Sequence, residues 1–437
     1  ERGPPAMSTR DRLKRLTGEA APPAKEEDGR LGDLRRRIDA ILSRRHEPPK
    51  APRPTLTGGG QALEELLAGR EERTPWGPFF SVEAVSGAET VHGCRPLREL
   101  ADVSMERLSL LAGAPSLARF ALQDGLFLDT ETTGLSGGTG TMAFLVGAGW
   151  FDGRDFRTRQ LFARDFGEER AVLSFLRDLA EDRKFLVTFN GKVFDLGVLS
   201  TRFILNRVPD PLVSLPHLDL LHPSRRIFRH RLESCRLSSL EATVLKFHRE
   251  GDVPGWEIPQ RYFDWLRRRD GRLVSDIFEH NRLDILSMAA LVIHFSRLLE
   301  ERGPGDGEHP AGDCLAAARL FHDRQRFPEA RSVLEGIIAG NGEAAGEAKR
   351  RLSLLHKRNA QWDEAVRLWQ EMVDENPGNL FAVEELAKCL EHRSRDYGQA
   401  RDLVERALAR APWEARPALR RRLERLTRKE GRKSPAE

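Results

Sequence analysis

Apolar and polar positions along this chain change rhythm twice. Between Thr74 and about Glu301 short apolar runs alternate with amphipathic stretches. GLFLDTET and TMAFLVGAGWF read as neighbouring strands joined by a glycine-rich hairpin, and RTRQLFA as a third strand. EERAVLSFLRDLAED has the spacing of an amphipathic helix, KFLVTFN reads as a buried strand, VFDLGVLSTRFIL as a helix and HLDLL as a short strand. Ahead of them PWGPFFSVEAV brings aromatic and β-branched residues, and LRELADVSMERLSLLAG reads as helix. Hairpin-joined strands followed by β-α-β-α order predict an α/β domain over 73–302, a mixed sheet with helices packed on it.

Beyond a Gly/Pro-rich linker at 303–312 the pattern turns wholly helical and repeats. Phe327, Trp362 and Tyr397 stand 35 residues apart, and the same register relates Ala330, Ala365 and Ala400, Leu334, Trp369 and Val404, and Ile337, Met372 and Ala407. Pro377 and Pro412 close the last two units. An aromatic, a small alanine three residues on and a closing proline at a period near ~34 predict tetratricopeptide-like helical repeats over 313–412. Such stacks present concave surfaces, so a protein partner is expected there. Residues 1–72 are rich in Pro, Gly and charge and are expected to be disordered, apart from an amphipathic helix within LGDLRRRIDAILSRR. Residues 413–437 read as a basic tail.

Composition adds limits. The 437 residues are 39% hydrophobic and 32% charged, with net charge +4, enough for two or three domains. Cys94, Cys235, Cys314 and Cys389 form no CxxC pair, which disfavours a thiolate zinc site or a disulfide framework. The longest apolar runs are too short to cross a bilayer, and no signal-peptide core is present. A cytoplasmic protein without membrane contact is expected.

Three segments carry the chemistry. Asp129 and Glu131 are two residues apart at the end of an apolar strand and so share a face, while Thr130 points the other way. Two like charges aimed from a core strand need compensation. Asp195 follows the strand KFLVTFN and the turn Asn190–Gly191. His280 and Asp284 in EHNRLDILSM are four apart, one helical turn on one face. Each has a plain alternative: a strand end in solvent, a charge favourable to a helix dipole, a surface histidine. Together they predict a cluster of four carboxylates, tolerable only around divalent metal, and hard oxygen donors select Mg²⁺ or Mn²⁺. Two such ions with a histidine to take a proton from water are the equipment of a phosphodiesterase.

LFLDTETTGL, FNGKVFD and HNRLD resemble the three exonuclease motifs of the DEDD superfamily, of DnaQ type and ribonuclease-H-like fold. More narrowly, TPWGPFFSVEAV, HGCRPL, HLDLLHPSRRIF, LESCRLSSLE and HNRLDILSM resemble the YprB-type ribonuclease-H-like domain, from about Thr74 to Leu299. The resemblance implies a 3′-to-5′ exonuclease with two metals on Asp129, Glu131, Asp195 and Asp284. It also implies that Thr132, Thr133, Gly134 and Leu135 meet the terminal nucleotide of a DNA or RNA 3′ end, and Asn190 is placed with them as a substrate contact. One departure stands out. The family has a histidine five residues before the last aspartate or a tyrosine four before it, and here His280 is four before Asp284.

Other features were open to competing readings. GLSGGTGT lacks the ending of a phosphate loop. His217, Asp219, His222 and His230 fit no common zinc spacing. Arg225, Arg226, Arg229 and Arg231 suit a phosphate backbone as well as a solvated turn. DVPGWEIPQRYFDWLRRR suits packing of a helical subdomain better than base stacking. The expected function is a metal-dependent nuclease, with two rivals: a nucleic-acid-binding, partner-recruiting protein with weak catalysis, and an endonuclease.

Overall fold

The computed structural model describes residues 60–134, 139–301 and 309–433. The expected N-terminal amphipathic helix and Leu135 lie outside them.

Seven strands form one mixed sheet. In chain order these are β1 (Gly69–Thr74), β2 (Gly77–Ser86), β5 (Gly125–Thr132), β6 (Ala143–Asp152), β7 (Asp155–Phe162), β8 (Phe185–Thr188) and β9 (His217–Asp219). A separate two-stranded ribbon, β3 (Val91–His92) and β4 (Arg95–Pro96), lies between β2 and β5 in sequence. The sheet order is β1-β2-β7-β6-β5-β8-β9. Strands β5, β8 and β9 run parallel and the remaining pairings are antiparallel. The glycine-rich segment therefore joins antiparallel strands, as a hairpin does and a phosphate loop does not.

Strand β1 begins before the expected boundary at residue 73. Its sequence, GREERT, has no apolar residue and reads like a tail, yet it pairs with β2 along its length. It is an edge strand protected by charge: Glu72 receives Arg159 at 2.6 Å and Glu71 receives Arg164 at 2.8 Å.

Helices α1 (Met105–Ala112), α2 (Glu169–Ala180), α3 (Asp195–Leu205), α4 (Leu221–Phe228), α5 (Ile258–Arg268) and α6 (Ser275–Glu300) cover the sheet. The stretch expected as one helix before β5 is broken: a 3-10 segment ends at Asp102, and Ser104 caps α1 by accepting from the Arg107 amide. Strand alternation divides β5 between two cores. Phe127 faces the core that holds α6, while Leu126 and Leu128 face the core that holds α2, α3 and α5. Helix α6 comes close to the sheet at Gly147 and Gly149 of β6. A Cβ on Gly149 would lie 2.5 Å from Ile285 Cγ2 and 2.9 Å from the Phe156 ring. Tyr262 of α5 is fully buried, stacks on Phe144 and donates to the Ala163 carbonyl at 2.9 Å. The segment containing α5 is thus mainly packing, although Trp256 just before it is 72% exposed.

The C-terminal region is all helical: α7 (Ala311–Asp323), α8 (Phe327–Ala339), α9 (Ala345–Arg358), α10 (Trp362–Glu375), α11 (Leu380–Cys389), α12 (Tyr397–Leu408) and α13 (Arg416–Lys433). The repeat is visible in the backbone. Phe327, Trp362 and Tyr397 each open a helix. Two residues before each, Gln325, Ala360 and Arg395 adopt the left-handed conformation at φ 60, 59 and 52°. Ala330, Ala365 and Ala400 are buried where paired helices meet. The expected linker ends early, because His309 is buried and α7 starts at Ala311. The expected basic tail is mostly α13. Leu419 and Leu426 bury one face, and Arg425 and Lys429 reach the buried Glu391 at 2.8 Å each. Among the described residues no helix is long and apolar enough to cross a membrane.

Gly149→Ala is expected to cost about 1–3 kcal/mol through overpacking between β6 and α6. Urea denaturation of the variant beside the parent measures it; an unchanged midpoint would mean that α6 does not need this close approach.

Candidate active site

Strand β5 carries Asp129 and Glu131 out of the core on the α6 side. The register of β5 against β6 shifts between Glu131 and Thr132, an irregularity that ends regular pairing beside Glu131. Helix α6 supplies His280, Asn281 and Asp284. Asn281 is fully buried and donates from Nδ2 to Asp129 Oδ2 at 2.8 Å. Gln160 of β7 donates to Asn281 Oδ1 at 2.9 Å and to the Phe278 carbonyl at 2.7 Å, fixing the amide's orientation. Gly147 makes this fit: any Cβ there would overlap Asn281 Oδ1.

Thr130, pointing to the other face, donates its hydroxyl to Asp195 Oδ1, and both residues are buried. Strand alternation thus links the carboxylates of both faces through one peptide run. The turn before Asp195 is held from β9. Asp219 accepts from the amides of Asn190 at 2.8 Å, Lys192 at 3.1 Å and Leu221 at 3.0 Å. Asn190 is left-handed at φ 66°, which asparagine tolerates.

Oxygen or nitrogen atoms of Glu131, His280 and Asp284 lie within 4.8 Å of one another, the one such cluster among the described residues. His280 Nε2 is 3.9 Å from Glu131 and 3.7 Å from Asp284. Asp129 and Asp195 stand outside this triplet but act on it electrostatically. Burial first, then the charges of Asp284, Glu131 and Asp195, push the Asp129 carboxyl well above the usual range against its bond from Asn281. Burial likewise raises Glu131 to about 8, with His280 opposing and Asp284 and Asp195 adding to the rise. Asp195 rises to about 6, burial outweighing the bond from Thr130. These shifts describe carboxylates short of positive charge. The donor set fits a hard divalent cation, with Glu131 and Asp284 oxygens placed to hold it and Asp129 and Asp195 beside them.

Several neighbours carry no local sequence signal. Arg249 donates to Asp284 Oδ1 and to both oxygens of Glu241, and its Nη1 lies 3.3 Å from His280 Nδ1. Asp284 and Glu241 outweigh the opposing effect of burial and hold the guanidinium above its ordinary pKa. Asp252 takes His280 Nδ1 at 2.7 Å. Burial alone would lower His280, but Asp284, Glu131 and Asp252 together raise it. Glu241, fully buried, also accepts from Ser287, which lies 2.8 Å from His92 Nε2. Glu241 closes the string LESCRLSSLE, and Asn281 sits inside HNRLD. Both were therefore inside the informative segments, but nothing local to them signals a contact across the fold.

The hairpin residues are partly occupied by their own turn. Thr132 donates to the Gly134 carbonyl at 2.8 Å, the Thr133 hydroxyl accepts from the Met142 amide at 3.0 Å, and the Thr133 amide donates to Met142 at 2.9 Å. The histidines near β9 do not assemble a metal site. His217 Nε2 lies 2.7 Å from the Thr188 hydroxyl, His230 Nδ1 lies 2.9 Å from the Ile227 carbonyl, and the Asp219 oxygens are taken by amides.

A sequence profile of the RNase H superfamily matches residues 126–296, from β5 through most of α6. The uncharacterized protein YprB of Bacillus subtilis (strain 168) is 33% identical over 327 residues, 73% of this chain and 78% of its own length. The chain belongs to the ribonuclease H superfamily. Within it the chain stands with YprB, and the match extends beyond the profile. Membership in this superfamily agrees with the mixed sheet and with a nuclease-like arrangement of carboxylates at the end of β5.

Two outcomes follow from the charges. A carboxyl whose folded pKa lies above its unfolded value contributes stability that is present below the unfolded pKa and lost as pH rises through the folded one. For Glu131 this window runs from 4.5 to about 8. His92 and His217, both lowered to about 4 by burial, act with the opposite sign, so the parent is compared with Glu131→Gln. In metal-free buffer the variant's melting temperature should gain on the parent's from pH 5 to pH 8, and Mg²⁺ or Mn²⁺ should narrow the gap. A gap independent of pH would contradict the crowding. Separately, Arg249→Gln leaves Glu241 buried without its cation and should destabilise by about 3–5 kcal/mol. Denaturation with and without an added Glu241→Gln change checks it, since the double variant should recover part of the loss.

Proposed function

We propose that this protein is a metal-dependent 3′-to-5′ exonuclease that hydrolyses phosphodiester bonds in DNA or RNA. The observation that carries the proposal is the convergence of carboxylates from β5, α3 and α6 beside a histidine that is itself held by Asp252. Asp129, Glu131, Asp195 and Asp284 would hold two Mg²⁺ or Mn²⁺ ions. When bound, such ions neutralise the phosphate, lower the pKa of water and clamp the attacking and leaving oxygens.

His280 is the group placed to move a proton. Its Nδ1 faces Asp252 at 2.7 Å, which fixes the ring, while Nε2 faces Glu131 and Asp284. Neutralising those two carboxylates removes charges that raise the imidazole's pKa and so favours its base form. Helix spacing one residue shorter than in histidine-bearing relatives is compatible with this role, because Asp252 turns the ring toward β5. Thr132, Thr133, Gly134, Leu135 and Asn190 are assigned to the strand's 3′ end.

A second reading is supported by Arg249. Its guanidinium takes an oxygen of Asp284, an arrangement that suits strand binding with weak turnover.

The test is Mn²⁺-dependent release of nucleotides from 5′-labelled single and double strands of DNA and RNA. Asp129→Ala should lower the rate by at least about 100-fold, and His280→Gln by about 10²–10⁴-fold. Blocking the 3′ end should stop release, and circular strands should survive. Equal rates in parent and Asp129→Ala would sink the enzymatic reading. Cleavage of circles would replace exonuclease with endonuclease, and tight binding without turnover would favour the second reading.

A further inference from the structure

A cavity of about 590 Å³ opens on the same turn that leads to Asp195. Its walls are Phe189 and Asn190 after β8, α4, and the segment 229–237 that follows α4. Arg225, Arg229 and Arg236 line it; all three are exposed, and among the described residues none has a carboxylate within ion-pair distance. Their neighbours in the same arginine run are engaged elsewhere. Arg226 lies 3.8 Å from Asp323, and Arg231 grips the buried Asp313 through two bonds of 2.9 and 2.8 Å. Glu233 is the single acid among the lining residues. Burial raises the Cys235 thiol, and its hydrogen points to the Ser224 carbonyl at 3.9 Å, so it adds no negative charge.

Three cations around one recess, opposed by one carboxylate, create a field that selects an anion. Guanidinium forks suit phosphate oxygens in particular. The rest of the lining is not what an inorganic anion needs: Phe189 offers an aromatic face, and Leu221, Leu232 and Leu237 add apolar surface. A ligand with a flat apolar part and an attached phosphate satisfies both halves, and that ligand is a nucleotide. The position favours a nucleotide within a strand, because Phe189 and Asp195 are the two ends of one short turn. A strand whose scissile phosphate lies at the carboxylates passes this recess. A recess with an aromatic wall accepts an unstacked base, which a duplex does not offer without melting.

We propose that this cavity holds one nucleotide of a single strand on the 5′ side of the scissile phosphate, with its base against Phe189 and its phosphates on Arg225, Arg229 and Arg236. The assignment rests on the nuclease reading for the direction of the strand. Its test measures binding and so fails separately from that reading.

The full chain carrying Asp129→Asn, which suppresses cleavage, is titrated into a fluorescent 12-nucleotide single strand at several salt concentrations. Added Arg225→Gln/Arg229→Gln should weaken binding about tenfold or more near 0.1 M salt. It should also make the slope of log K against log salt shallower by about 1.4, two phosphate contacts at ~0.7 each. Arg226→Gln changes charge on the same helix but faces Asp323, and should leave that slope in place. Phe189→Leu should weaken single-strand binding several-fold with the slope retained. Circular dichroism melts confirm that each variant is folded. Equal affinity and slope in the double variant and its parent would overturn the proposal, whatever the nuclease assays give. So would a loss confined to duplex, or a loss confined to free nucleoside monophosphates with strand binding intact.

Discussion

The close approach of α6 to β6 is the constraint on which the site depends. Gly147 and Gly149 lie on one face of β6, and neither position has room for a methyl group beneath the helix. With the helix this close, Asn281 reaches across to Asp129 and receives Gln160 in turn. His280 and Asp284, on the same helical turns, are thereby brought to Glu131. A helix standing off by the width of one side chain would leave the β5 carboxylates facing water and Asn281 buried without partners, which costs free energy on both counts. Packing and chemistry here are one geometric requirement.

Charge is the second requirement. Among the described residues, Glu131, Glu241, Asp252 and Asp284 surround the permanent cation Arg249 and the titratable ring of His280, with the charges of Asp129 and Asp195 acting on the cluster. Arg249 is shared between Asp284 and Glu241, and so couples the Glu131–His280–Asp284 cluster to the buried Glu241–Ser287–His92 chain behind it. An arginine in this place limits repulsion among the acids when they lack metal. It also gives Asp284 an alternative partner, so any divalent cation bound there would compete with that ion pair. Burial first, and then the neighbouring acids, raise the Asp129 and Glu131 carboxyls, with Arg249 opposing the rise at Glu131.

What could be read from sequence divides along locality. The central strands, the helices and the Asp129–Glu131, Asp195 and His280–Asp284 sets carry their signals within a few residues, through period-2 or period-3.6 spacing. The repeats are legible for the same reason, and even their left-handed turns at Gln325, Ala360 and Arg395 keep the period. The errors have a common cause. Strand β1 and helix α13 are stabilised by charge pairs with distant elements, Glu71 with Arg164 and Glu391 with Arg425. Each looks like solvated chain when read alone. Arg249, Asp252 and Glu241 carry no local signal because their partners come from α6, beyond any local pattern. The glycines of GAG in β6 were seen only as strand, although two glycines on one face of an apolar strand are the trace of something packed closely against it.

The segment from Leu221 to Leu237 shows how one arginine run serves two neighbours. Arg225 and Arg229, four residues apart, share a side and face the cavity. Arg226 and Arg231 turn instead to Asp323 and Asp313 at the two ends of α7. The first repeat helix is thus tied to the ribonuclease-H-like domain by the same short stretch that shapes the recess beside the carboxylates. Buried apolar residues of α7, α8 and α9 continue the core that contains Phe127 and α6. The first helical repeats are therefore part of what holds that stretch, and the wall of the cavity, in place.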